Sequence, residues 1–343
     1  MNREELLHAL KIVIPGVSKG ESLLTGTDSF IFRNGLIQTY NEHLSVTFPL
    51  DIGIEGAVKA AEMARVLEKM QGLEITIELR GKAIFVTDGF TELSMQLLDT
   101  AVSTHLTSLA LEDLDWDELP PDFMKALSLC LPSVSRNPAH DAMMGIRFEG
   151  EDVLACDNMR CSWCVVDASL PDFTLPGGAA NELKKIPDLT GFSVSGSWVH
   201  FQNKDGVVFS SRLFAAEFPS AALRNYFNFD GELIKYQFPA GLEKALERAE
   251  IMSFSQENGS PFVTLEEKKG KLVIRGERQY GTLSERIPLE TDWPKGVSLD
   301  IDPRHLLHIL SLTREFQVSG RNVYFQTEGH KHVISTIIPK DED

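Results

Sequence analysis

The sequence has no apolar run near the ~18 residues that a membrane-spanning helix needs. Its opening, MNREELLHAL, reads as an amphipathic helix start and not as a signal peptide. Cysteine is scarce: four in 343 residues, three of them crowded between Cys156 and Cys164. That is too few for the disulfide framework of a small secreted domain, and it points to a reducing, cytoplasmic compartment. A basic excess is missing as well. Thirty-three Lys and Arg face 50 Asp and Glu, a net charge of −17, which taken alone argues against a nucleic-acid partner. GxGxxG, the P-loop, GxSxG and HExxH are all absent, so no familiar catalytic motif supports an enzyme.

What the sequence does contain is repetition. LLHALKIVIPGVS (6–18) returns as FMKALSLCLPSVS (123–135) and, more weakly, as LEKALERAEIMS (242–253). A second echo follows, with VSGSWVHFQ (194–202) matched by VSGRNVYFQ (318–326) and faintly by RGKAIFV (80–86). The offsets, 117 and 119 residues for the first motif, are consistent with three divergent copies of one module. LEDLDWDELPPD (111–122) and NFDGELIKYQFPAG (228–241) read as linkers, which sets domains at 1–115, 116–230 and 231–343.

Each copy opens with a helix. Leu6, Leu7, Leu10, Ile14 and Val17 share one apolar face in the first, and Phe123, Leu127, Leu131 and Val134 do so in the second. Pro15 and Pro132 end these helices, because proline lacks an amide donor and clashes with the preceding turn. Helices are expected over 3–19, 55–71, 121–136, 176–187, 239–253 and 302–315, the last capped by Asp302 with Pro303 behind it. FIFRNGLIQTY, GIRFEGEDVLAC, PFVTLEEKKGKLVIRG, TIELRGKAIFVTD and GFSVSGSWVHFQNKDGVVFSSRL read as hairpins. The fold class is therefore α+β, three tandem domains of two helices and two antiparallel sheets each.

The Cys156-x4-Cys161-x2-Cys164 spacing, with Cys130 upstream, matches a plant-type iron–sulfur pattern, but the downstream fourth ligand is missing. The stretch instead reads as two strands about a turn at Asp157-Asn158, with the cysteines as small buried residues. His140 lies in a polar loop with no thiol-protease motif around any cysteine. His305 and His308 share a helix face, lack a visible third ligand, and read as solvated. No metal, cofactor or catalytic residue is assigned.

Charge by element is more useful. The six helical stretches hold 14 Lys and Arg against 12 Asp and Glu, so the acid lies in the strands and connections. Lys19, Lys59, Arg65, Lys69, Lys125, Arg136, Lys184, Lys185, Lys244, Arg248 and Arg304 recur on corresponding helices. Spread thinly, they suit phosphate contacts that fix no register.

The second copy resembles the middle domain of the bacterial sliding clamp, the β subunit of DNA polymerase III. Ala155-Cys156-Asp157-Asn158-Met159-Arg160-Cys161 stands where that family has an A-T-D-x-x-R-L turn, and Ser211-Arg212-Leu213 through Phe218-Pro219 matches its S-[KR]-L-x-x-x-x-F-P element. With the triplication, the similarity extends over nearly the whole chain. The resemblance implies a head-to-tail homodimer, a pseudo-sixfold ring of six domains around double-stranded DNA whose hole is lined by twelve helices. It implies no catalysis and no membrane. It also implies a hydrophobic cleft for short peptide motifs of a DNA polymerase and a clamp loader, at Met143, Cys156, Met159, Arg160, Cys161, Pro219, Ile337, Ile338 and Pro339. The dimer seam implied pairs the strand around Leu93 and Met95 with the helix around Ile251 and Met252. The chain departs from the family in ending on the acidic PKDED, in having Asp141 and Ala142 where some members carry DNA-contacting aromatics, and in Asn158-Met159 where Gly-His is usual. Two rival readings are a clamp-fold interaction platform that closes no ring and an unrelated triplicated α+β enzyme.

Overall fold

The computed structural model describes residues 1–20, 22–98, 102–228, 233–253 and 261–337. In chain order, the first part holds α1 (Arg3–Val13), β1 (Ser29–Arg33), β2 (Leu36–Tyr40), β3 (Leu44–Pro49), β4 (Gly56–Lys59), α2 (Ala60–Lys69), β5 (Thr76–Arg80), β6 (Ala83–Thr87), β7 (Glu92–Gln96) and α3 (Val102–Ser108). There follow β8 (Asp117–Glu118), α4 (Phe123–Cys130), β9 (Gly145–Cys156), β10 (Arg160–Pro176), α5 (Gly177–Leu183), β11 (Leu189–Ser195), β12 (Trp198–Asn203), β13 (Val208–Arg212) and α6 (Ser220–Asn225). The last part holds β14 (Lys235–Gln237), α7 (Leu242–Ile251), β15 (Val263–Lys268), β16 (Lys271–Arg278), β17 (Gly281–Pro288), β18 (Ser298–Ile301), α8 (Pro303–Leu310), β19 (Glu315–Ser319), β20 (Asn322–Thr327) and β21 (His330–Ser335).

All six expected helices contain an α-helix, but each is shorter than its apolar pattern. After α1 and α4 the chain makes only one 3-10 turn, Ile14–Gly16 and Leu131–Ser133, each carrying the proline. Of the cations expected on helices, Lys59 lies at the end of β4, and Lys19, Arg136, Lys184 and Lys185 lie past helix ends, not inside them. Asp302 caps α8 as read, its Oδ1 accepting from the Arg304 amide at 2.9 Å. Helices α3 and α6 are short and were not expected.

The chain divides into two units, Met1–Pro121 with Phe173–Ala215, and Asp122–Asp172 with Ala216–Asp343. In the first unit an antiparallel sheet runs β4-β1-β2-β3-β13-β12-β11-β8, with α1 against β2 and β3 and α2 against β1 and β4. Its seam is the β3–β13 ladder, Thr47 opposite Val208 through Leu44 opposite Ser211. A three-stranded sheet, β5-β6-β7, belongs to the same unit. In the second unit β14-β19-β20-β21-β10-β9 form one sheet, joined at β10–β21 with Cys161 opposite Val333. The sheet β17-β16-β15-β18 packs against α7 through a core including Leu242, Leu246, Leu265 and Ile274.

The second sequence echo is a turn. Gly81, Gly196 and Gly320 each open a two-residue hairpin loop at φ 62°, 58° and 56°, the II′ pattern that requires glycine at that place. Asn34-Gly35 and Lys269-Gly270 are instead positive at both central residues, the I′ pattern. GIRFEGEDVLAC departs from its expected hairpin. Residues 145–156 form one continuous strand, with Gly150 at positive φ inside it and no reversal of the chain there.

His305 and His308 are not solvated: burial pushes His305 down to about 4, against weaker opposition from Asp302. Beneath the end of α1, Thr39 Oγ1 donates to the Val13 carbonyl at 2.6 Å, and Gly16 lies directly over it. A Cβ on Gly16 would stand 2.2 Å from that oxygen. In the second copy the matching residue is Ser133, whose hydroxyl bonds Ser162 at 2.8 Å, so the space is used differently. Gly16→Val is therefore expected to cost about 1–3 kcal/mol by overpacking, measured as a lowered urea midpoint with unchanged slope.

Candidate partner cleft and DNA-facing cations

The hairpin joining β9 to β10 is built by one carboxylate. Asp157 Oδ1 accepts from the Met159 and Arg160 amides at 2.8 and 2.9 Å, and its Oδ2 accepts from Arg160 Nε at 3.0 Å. Burial pulls the Arg160 guanidinium down, and Asp157 opposes that shift. Asn158 at the tip bonds the His140 ring at 2.7 Å.

Opposite the hairpin stands α6. Ser220 Oγ donates to Glu149 at 2.7 Å, and Arg224 donates to Asp152 at 2.6 Å and to Glu149 at 3.2 Å. Trp163 Nε1 donates to the other Asp152 oxygen at 2.8 Å. Thus β9 carboxylates clamp a helix too short to hold itself.

Between them lies a cavity of about 210 Å³ lined by Met143, Cys156, Asp157, Asn158, Met159, Arg160, Cys161, Pro219, Ala222, Leu223, Tyr226 and Ser335. Three of these, Cys156, Cys161 and Leu223, also belong to a buried cluster with Leu154, Phe218, Tyr324 and Val333. The arrangement can take apolar side chains against adaptable methionines, with one guanidinium at the wall.

Of the nine cleft residues expected from sequence, Met143, Cys156, Met159, Arg160, Cys161 and Pro219 line this cavity together. Ile337 does not line it; its amide bonds the Asp300 carbonyl at 2.7 Å. Ile338 and Pro339 lie outside the described residues. Sequence reasoning missed Ala222, Leu223 and Tyr226 because α6 is held by side-chain clamps and carries little periodic signal of its own. The cysteines fall into two pairs. Cys130 and Cys164 meet in the core with sulfurs 3.7 Å apart, while Cys156 and Cys161 face the cavity.

All eleven expected DNA-facing cations are exposed. Lys59 pairs with Asp28, Lys185 with Glu182, Arg248 with Glu285 and Arg304 with Asp302. Lys19, Arg65, Lys69, Lys125, Arg136, Lys184 and Lys244 have no carboxylate partner within 4.0 Å among the described residues. Leu93 and Met95 occupy alternate positions of edge strand β7, half-buried between exposed neighbours. Ile251 is 65% exposed at the end of α7, and Met252 packs at Gly276 and Gly281 beside β17.

No protein-family model matches this sequence, and no curated protein matches it. Solved structures do. A Bacillus subtilis DNA polymerase sliding clamp matches with TM-score 0.78 at 17% identity, covering 99% of this chain and 98% of that one. The β subunit of a Streptococcus pyogenes DNA polymerase matches with TM-score 0.81 at 16% identity, covering 98% of each chain. A Bartonella birtlesii sliding clamp, solved bound to griselimycin, matches with TM-score 0.81 at 18% identity over 99% of this chain and 98% of that one. The chain has the sliding-clamp fold.

Within this clamp fold the α6 clamp gives a pH dependence. The Ser220 hydroxyl and then Arg224 hold the Glu149 carboxyl below its ordinary value. A depressed carboxyl stabilises the folded form above the unfolded pKa, and that contribution is lost as pH falls through the folded value. Acidification below the ordinary glutamate range should therefore loosen α6, read as a change in Trp163 fluorescence. Arg224→Met should lose about 2 kcal/mol at neutral pH, because two carboxylates lose a charged donor, measured by urea unfolding.

Proposed function

We propose that the chain is a non-catalytic DNA sliding clamp. Two copies, of three modules each, close head to tail into a ring around duplex DNA and tether a replicative DNA polymerase in the cytoplasm. The clamp loader and the polymerase would bind through short peptides in the cavity lined by Met143, Met159 and Pro219.

The observation that carries this reading is a rule in strand pairing. In both seams the third strand of a three-strand meander pairs antiparallel with the last strand of a first-half sheet from the preceding copy. One seam is β13 on β3, the other β21 on β10. Applied to the remaining meander, the rule leaves β7 without a partner, and applied to the remaining first-half sheet it leaves β17. Each is the edge strand of its sheet. A second copy supplies both missing ladders at once, which is how a heterologous contact closes. Leu93 and Met95 on β7, with Ile251 and Met252 beside β17, are the apolar groups such a seam would bury.

The charge supports the same reading. Held topologically, DNA needs few tight phosphate contacts, and seven exposed cations without a carboxylate partner among the described residues, four of them inside helices (Arg65, Lys69, Lys125 and Lys244), suit a surface that slides. The acidic remainder disfavours non-specific binding outside the hole. A clamp-fold platform that closes no ring is the alternative, and oligomeric state separates the two.

Sedimentation equilibrium should give twice 38.2 kDa. Leu93→Glu or Met252→Glu should return the monomer, since a buried unpaired charge costs several kcal/mol (~3–5). The dimer, loaded by mixing subunits with DNA, should stay on nicked circular DNA and slide off once it is linearised. A strict monomer, or equal loss from both DNA forms, would sink the ring.

The cavity has its own test. A random octapeptide display library selected on the full chain should enrich apolar, aromatic sequences. A synthetic peptide of the enriched sequence should bind Met159→Glu at least tenfold more weakly, about 1.4 kcal/mol. Enrichment insensitive to that variant would remove the cleft assignment.

A further inference from the structure

The two cysteines of the cavity wall face each other across a tight hairpin. The Asp157 amide donates to the Arg160 carbonyl at 3.0 Å, which closes a two-residue turn and sets residue 157 opposite 160. Cys156 and Cys161 are the next facing pair. Because 157 and 160 form a hydrogen-bonded pair, the pair beyond them is of the closely spaced kind, with Cα atoms about 4.5 Å apart. Disulfides form at Cα separations of about 4.4–6.8 Å. Facing residues of a ladder project to the same side, and both of these line the cavity.

Cys130 and Cys164 differ in access. They are 0% and 1% exposed and line none of the described cavities, whereas Cys156 and Cys161, at 4% and 7%, border open space. The Asp157 carboxylate, with its three bonds to residues 159 and 160, holds the turn in the register that keeps the thiols opposed.

We propose that Cys156 and Cys161 are a modification site, a dithiol that a peroxide converts reversibly to a cross-hairpin disulfide, and that this switches the cavity between two shapes. The consequence for partner binding rests on the cleft reading above; the disulfide itself does not. Residues 156 to 161 form half of the cavity's lining, so a bond across the base of their hairpin acts on that whole wall.

The reaction balances with hydrogen peroxide as oxidant. The Cys156 thiol gives up its proton, and its sulfur attacks one peroxide oxygen. The O–O bond breaks, leaving a sulfenic acid and a hydroxide that takes up the released proton. The Cys161 sulfur attacks the sulfenic sulfur, the S–O bond breaks, and the Cys161 proton leaves with that oxygen as water. Two thiols and one peroxide become one disulfide and two waters, the sulfurs losing two electrons that the peroxide gains. Contact with Cys156, and then burial, push the Cys161 thiol up, so it gives up its proton only as its sulfur bonds the sulfenic sulfur. Dithiothreitol reverses the step by exchange.

The test uses the full chain. After treatment with one equivalent of hydrogen peroxide and alkylation, mass spectrometry should find the peptide spanning 156–161 lighter by two hydrogens and unalkylated. Cys130 and Cys164 should be recovered as alkylated thiols, and dithiothreitol should restore the other two. A crosslink mapped to Cys130–Cys164, or Cys156 and Cys161 recovered as separate alkylated or singly oxidised residues, would overturn the proposal. For the regulatory half, the library-selected octapeptide should bind the oxidised chain at least tenfold more weakly, with full recovery in dithiothreitol and no oxidant effect on Cys161→Ser. A mapped disulfide with unchanged octapeptide affinity would overturn that half alone. Failure to enrich any peptide would count against the cleft and leave the thiol mapping to stand by itself.

Discussion

An edge strand carries a row of unpaired amides and carbonyls, and that row has to be met by something. In this chain the obligation governs the architecture. Strand β3 meets β13, and β10 meets β21, so two sheets run without a break across the boundaries between sequence repeats. The contacts follow the sheets and not the repeats: residues 122–172 and 173–215, one continuous stretch of the middle copy, belong to different units. A ladder of backbone hydrogen bonds joins more strongly than a linker separates. The same obligation leaves β7 and β17 as the strands whose pairing defines the proposed assembly.

How much of this was legible depended on whether a feature is local. Helix α1 announces itself through Leu6, Leu7 and Leu10 and is stopped by Pro15, all within one short segment. The glycines at 81, 196 and 320 mark II′ turns for a reason that needs no tertiary context, and they appeared as a sequence echo before their conformation was known. Gly150 misled because a glycine signals permission for positive φ and not a reversal; its neighbours continue as strand. The ladders β3–β13 and β10–β21 join residues more than 150 positions apart, and no pattern within either strand names its partner. Helix α6 escaped notice for the same reason: its stability comes from Glu149 and Asp152, some seventy residues upstream. In the cleft, the turn motif supplied the β9–β10 side, and the α6 side had to be seen.

Charge shows a related limit. Counting cations by helix separated neutral helices from acidic strands, which was sound as composition. It could not say which cations keep their charge free. Asp28, Glu182, Glu285 and Asp302 each take one of the eleven. Exposed pairs of this kind contribute little to stability, but they remove charge from any distant phosphate. Among the described residues, the set without a carboxylate partner is smaller than the sequence suggested, and the weak, unfocused attraction it leaves fits the proposed sliding on DNA.

The cleft brings these threads to one hairpin. Its two strands belong to a sheet that crosses a repeat boundary, its turn is held by Asp157, and its far wall is a helix that cannot stand without β9. The turn and the α6 wall are held by polar contacts of β9 or of its turn, so displacement of the hairpin reaches α6 through Glu149 and Asp152. A cavity walled this way is rigid only while the hairpin keeps its register. Sulfur at both base positions places a covalent bond, formed or broken, at the point where that register is set.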